Sequence, residues 1–177
     1  MLFPYYTYID SGDFLRRIKA WLITVAIAVF ILFCFGSWKL YFSNMHFQDY
    51  SAVSAINKAK KWYHFDHVKS VTAYHGTDAY QVIQAKQKGK MMYFWVPDHP
   101  KKAPYIERQA SKGITKKQAI QRLFGERVDI KSIISVRLGA IHGHPVWEIT
   151  FLNSKNNYNY VSLYFDNGKE AQRILNL

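Results

Sequence analysis

The chain is poor in cysteine, in acid and in every short pattern that marks a catalytic centre. Its one cysteine is Cys34, so no internal disulfide can form and the folded part must be held by packing alone. Asp and Glu total 12 against 24 Lys and Arg, a net charge of +12. The carboxylates beyond residue 43 are scattered over helix ends, turns and a proline-bearing stretch. No paired-acid motif, no G-x-S-x-G nucleophile and no phosphate-cradling glycine loop is present. A non-enzymatic role is therefore expected, with no catalytic residues and no cofactor. Of the 7 histidines, His142 and His144 flank Gly143 near Glu148, but a transition-metal site needs three or four convergent ligands. No metal is expected there; the pattern reads as a solvated turn. His64, His67, His75 and His99 are dispersed.

Charge is also missing from residues 20–38, AWLITVAIAVFILFCFGSW. As a helix this run spans about 28 Å, enough to cross the ~30 Å apolar core of a bilayer once. Trp21 and Trp38 stand near its ends, where indoles favour the headgroup layer. Arg16, Arg17 and Lys19 precede the run, and only Lys39 follows closely. The positive-inside rule then places the N-terminus in the cytoplasm and the C-terminal part outside the cell. The run closes on Cys34-Phe35-Gly36-Ser37-Trp38, without the small residues of a cleavage site, and Phe33 before Cys34 departs from a lipoprotein signal. An uncleaved, single-pass cell-membrane anchor is expected.

From residue 43 onward 20 basic residues face 10 acidic ones. Outside a membrane the polyanions within reach are lipid headgroups and anionic wall polymers, which sets nucleic acid aside.

Six segments follow from pattern. Residues 1–15 read as a Tyr-rich cytoplasmic tail, 16–39 as the anchor with its basic flank, and 40–48 as a stalk. A helix is expected from an N-cap at Asp49, with Val53, Ile56, Ala59 and Tyr63 on its apolar face. Strands at 68–75, 79–85 and 91–96 complete a first domain, 49–97. Proline is scarce, yet Pro97, Pro100 and Pro104 crowd the next stretch, which reads as a linker over 98–114. A second domain, 115–177, opens on the capping box Thr115-x-x-Gln118, with Ala119, Ile120, Leu123 and Phe124 facing inward. Strands at 132–141, 146–152 and 158–165 follow.

The two domains repeat. A shift of 67 residues lays Ala52-Val53-x-x-Ile56 on Ala119-Ile120-x-x-Leu123, Tyr80-x-Val82 on Trp147-x-Ile149, and Tyr93-Phe94-x-Val96 on Tyr160-Val161-x-Leu163. A shared register over a helix and three strands points to tandem α+β units, each a helix on a small antiparallel sheet. In the second copy Ile134, Val136 and Leu138, then Trp147, Ile149 and Phe151, then Val161, Leu163 and Phe165 form the expected core stripes. Tyr158, Tyr160 and Tyr164 fall on the opposite face, and the repeat places Tyr93 and Trp95 on the matching face of copy one. That aromatic face is either an interface or is covered internally by the other domain or the linker. Glu148 points away from the core stripe, towards a base on a neighbouring strand.

The anchor, the helix rich in small residues, and Pro145-Val146-Trp147-Glu148-Ile149 followed by the third strand and Asp166-Asn167-Gly168 resemble a PepSY-type module. Two such modules behind one anchor resemble the TseB-like cell-wall elongation regulators of Gram-positive bacteria. The resemblance implies tandem cystatin-like, PepSY-like domains on the outer face of the membrane. It also implies a non-enzymatic role: binding a penicillin-binding protein, a class-B transpeptidase, or another wall-synthesis membrane protein, and supporting wall elongation. Related PepSY modules imply a second reading, an inhibitor or sensor of extracytoplasmic proteases. The basic surface allows a third, a binder of anionic wall polymer or lipid headgroups. The expected partner-binding residues are Tyr93, Trp95, Tyr160 and Tyr164, with Lys101 and Lys102 at their edge.

Overall fold

The computed structural model describes residues 11–177, with backbone alone for 11–15 and 42–49. Most of the expected N-terminal tail lies outside the described residues. The first helix, α1, runs over Ser11–Lys60, through the expected stalk at 40–48 and past Asp49. No proline or glycine occurs between Gly36 and Gly76, so nothing in the covalent chain interrupts the helix and Asp49 does not act as its N-cap. It ends in tightened turns, with Trp62 N–H donating to Ala59 O at 3.0 Å and Tyr63 N–H to the same oxygen at 2.8 Å.

Two compact units divide the chain, Met1–Asp49 and Tyr50–Leu177. In the first, the 26-residue stretch Arg16–Tyr41 is long and apolar enough to cross a membrane, and none of it is buried. Thr24 Oγ1 donates to Ala20 O at 2.9 Å, which satisfies its hydroxyl inside the apolar run.

The second unit holds two antiparallel sheets. β1 (His67–His75), β2 (Ala79–Gln87), β3 (Lys90–Pro97) and β4 (Ile106–Gln109) pair in chain order. A short 3-10 turn, Ala110–Lys112, and α2, Lys116–Gly125, lead to β5 (Ser132–Ile141), β6 (His144–Leu152), β7 (Tyr158–Tyr164) and β8 (Glu170–Ile174), again paired in chain order. Helix, three long strands and a short fourth thus recur. The capping box forms as expected: Gln118 N–H donates to Thr115 Oγ1 and Thr115 N–H to Gln118 Oε1. Two-residue turns join β2 to β3 and β5 to β6, and both centres have positive φ: Lys88 49° and Gly89 75°, His142 49° and Gly143 75°. Such mirror-image turns match the twist of the flanking strands.

Three expectations are corrected here. The stretch 98–114 is not a bare linker, because β4 extends the first sheet against β3, with Ile106 opposite Trp95. Val53 and Phe124 are exposed at 55% and 59%; the helix contacts are made by Ala55 and Ala59 in α1 and by Ala119 and Leu123 in α2. Small residues let α1 approach the sheet closely. Ile134 is not in the core stripe. The β5–β6 register slips between Ile133 and Ser135, and a bulge turns Ile134 outward while Ile133 and Val136 pack inward.

The first sheet is buried on both faces. One carries Ile83, Ala85, Met92, Phe94 and Val96 beneath Ala55 and Ala59, with the Tyr63 and Phe65 rings 4.8 and 5.3 Å from Phe94. The other, Tyr80, Val82 and Trp95, shares one core with Leu138, Trp147, Ile149, Phe151, Val161, Leu163 and Phe165 of the second sheet. A strand covered on both sides loses its alternation, which explains the unbroken burial of residues 94–97. Each large side chain so buried contributes roughly 1.5–3 kcal/mol.

Candidate functional site

The six residues expected to bind a partner do not form one patch. Trp95 is fully buried, and its Nε1–H donates to Gly139 O at 2.8 Å. Tyr93 packs against the same core, edge-on to Trp95 and Phe165 with centroids 5.9 Å apart in both pairs. Burial pushes its hydroxyl pKa up. For these two residues internal covering holds: in the first copy the aromatic face is closed by the second. Tyr160 and Tyr164 remain half-exposed on the outer face of β7, with Tyr164 edge-on to the His144 ring at 6.1 Å. Lys101 and Lys102 are exposed on the turn after β3, where Lys102 N–H donates to His99 O at 2.9 Å.

Tyr160 instead lies in a half-open groove of 330 Å³ on the outer face of the second sheet. Its floor follows from register: Glu148 opposes Ser162, Ser162 opposes Gln172 and Tyr160 opposes Ile174. The β1–β2 turn of the first sheet, His75, Gly76 and Thr77, supplies one wall. Tyr74 carries that turn across. Its ring is 2% exposed, and its hydroxyl donates to Glu148 Oε2 at 2.9 Å. Desolvation, followed by the Glu148 charge and hydrogen bond, raises the Tyr74 pKa far above its ordinary value. The hydroxyl therefore stays protonated and donates. Glu148, expected to meet a base, meets this phenol.

Tyr74 fits because Gly139 has no side chain: a Cβ there would lie 2.3 Å from the ring. A glycine inside a strand marks such a close approach, and no expectation above was drawn from Gly139. The groove presents the Glu148 carboxylate, the rings of Tyr74 and Tyr160, an imidazole, a carboxamide and hydroxyls. Among the described residues no group of three or more His, Cys, Asp or Glu converges as a metal site would require.

Residues 54–97, from the last turns of α1 to the end of β3, match the family model described as cell wall elongation regulator TseB-like domain. Over 160 residues the chain is 29% identical to the probable cell wall elongation regulator TseB of Bacillus subtilis (strain 168), covering 89% of this chain and 98% of that protein. The solved structure of the YpmB protein from Bacillus subtilis superposes with a TM-score of 0.63 at 28% identity, over 68% of this chain and 94% of that one.

Proposed function

We propose that this chain, which is TseB-like by its matched domain and by its likeness along most of its length, is a membrane-anchored, non-enzymatic interaction protein that supports cell-wall elongation. The apolar part of α1 holds it in the cell membrane with the N-terminus inside. The C-terminal unit, read as tandem PepSY-like, cystatin-like halves, works outside. Its partner is a penicillin-binding transpeptidase of wall synthesis, engaged through the outer face of the second sheet, with Tyr160 in the groove and Tyr164 further along β7.

One observation carries this reading: the two sheets are unequally covered. The first is buried on both faces, whereas the matching face of the second leaves a groove beside Tyr160. In stacked repeats the copy without a successor presents the surface its predecessor buries. Confinement of both proteins to one membrane raises their effective concentration, so a shallow groove suffices.

The test is a photo-crosslinking amino acid placed at Tyr160, Gln172 or Lys116 in intact cells, with adducts visualised by a fluorescent penicillin. Fluorescent adducts are expected from Tyr160 and Gln172 and not from Lys116 on α2. Equal adducts from all three positions, or none from the groove, would overturn the site. Topology is tested separately. Lys155→Cys should react with a membrane-impermeant maleimide in intact cells, and labelling only after lysis would overturn the outward orientation.

A further inference from the structure

One end of the first sheet gathers positive charge that the groove does not use. Lys60 and Lys61 close α1, Lys69 sits at the β1 bulge, and Lys86, Lys88 and Lys90 ring the β2–β3 turn. Register and hydrogen bonds bring these segments together. His67 opposes Lys86 and Gln87 opposes Lys90. Asp66 N–H donates to Lys86 O at 2.9 Å, and Gln87 Nε2 donates to His64 O at 2.8 Å. All six lysines are exposed, as are His64 and His67. Asp66 is the single acid in the segments that form this end. The ion pairs among the described residues, Arg108 with Asp166 and Arg173 with Glu126 and Glu170, lie elsewhere.

Lysines often guard an open sheet edge, which would account for Lys69 on β1. It does not account for Lys86, Lys88 and Lys90, because β2 and β3 are the interior strands of the sheet. Like charges held this close repel one another and destabilise the compact state, so their concentration calls for a ligand that neutralises them. Lysine ammoniums are point charges that follow a flexible phosphate chain without the planar pairing arginine makes.

We propose that this β2–β3 end binds a phosphodiester-linked anionic polymer of the cell wall. A bilayer-seated surface buries a broad apolar face beneath its cations; here the turn is Lys-Gln-Lys-Gly-Lys, and the large apolar side chain exposed nearby is Trp62, 68% exposed beside the Tyr105 ring. The proposal rests on the outward orientation given above, but its test does not.

The full chain in neutral detergent is titrated with poly(glycerol phosphate) by calorimetry. Saturable binding is expected, weakening about tenfold or more between about 0.05 M and about 0.3 M salt as screening shortens. The triple variant Lys86→Gln, Lys88→Asn, Lys90→Gln should weaken it about tenfold or more without lowering the thermal unfolding midpoint; asparagine keeps the positive φ at position 88. Lys116→Gln, Lys117→Gln and Lys155→Gln together remove the same charge elsewhere and should change binding less than about twofold. Equal losses from both triples would mean diffuse attraction and overturn the site. No binding would overturn it as well. So would tighter binding of the same detergent-solubilised chain to phosphatidylglycerol in mixed micelles that the first triple abolishes, which would assign this end to lipid headgroups.

Discussion

Gly139→Ala tests how the two halves of the C-terminal unit are joined. The added methyl would sit 2.3 Å from Tyr74 Cε2 and Cζ, inside any tolerable contact, so the ring or the β5 backbone must move. The ring has little room. It is 2% exposed, a Cβ at Gly76 would also strike it, and its hydroxyl is tied to Glu148 at 2.9 Å. Overpacking of this kind costs about 1–3 kcal/mol. Withdrawal of the ring forfeits a hydrogen bond to a carboxylate worth about 1.5–3 kcal/mol. A net loss of about 3 kcal/mol is expected, which for a unit of this size lowers the unfolding midpoint by about 10 °C. Near-UV circular dichroism against temperature measures it, because both sheets contribute tryptophan to the shared core. In a Tyr74→Leu background the same methyl meets no ring edge, and its added cost should fall to about 0.5 kcal/mol or less. An unchanged midpoint for the single variant, or the full cost persisting without the tyrosine, would refute the reasoning.

Trp95→Phe removes the indole donor to Gly139 O, which keeps its ladder partner Val146, so the loss is one net hydrogen bond, about 0.5–1.5 kcal/mol in urea unfolding. Crosslinking from Tyr160 should persist in this variant, and its loss would return Trp95 to the binding face. Burial, then the Asp78 charge, pushes the Tyr80 pKa up to about 12, whereas an unfolded tyrosine titrates near 10. The folded state keeps its proton longer, so stability is intact below pH 10 and falls as pH climbs from there towards 12. Tyr80→Phe should lessen that decline while the share from Tyr74 remains, and an unaltered slope would show that Tyr80 adds nothing to it.

Local chemistry carried the elements. The Thr115-x-x-Gln118 box, the charge-free run and the alternation of β6 and β7 act over a few residues and are legible as written. What was not legible is long-range. Nothing near Asp49 says that α1 is already under way, since a helix stops at a breaker and none is present. The β5 bulge changes phase without a Gly or Pro to announce it, so Ile134 was placed inward by parity. Transfer of the Tyr160 face to Tyr93 and Trp95 assumed equal surroundings for both copies. Only tertiary stacking distinguishes them, and it hides Trp95 while leaving Tyr160 half-open. Gly139, from which no expectation was drawn, carries a local mark of that stacking.

The indole of Trp95 finds its acceptor, and the ring of Tyr74 its seat, on a single glycine of the opposite half. Neither half therefore has a finished interior of its own. A change tolerated in one is judged by the other, so recombination that exchanged either half for a foreign counterpart would inherit a vacancy. Two similar stretches of chain fold as one indivisible body.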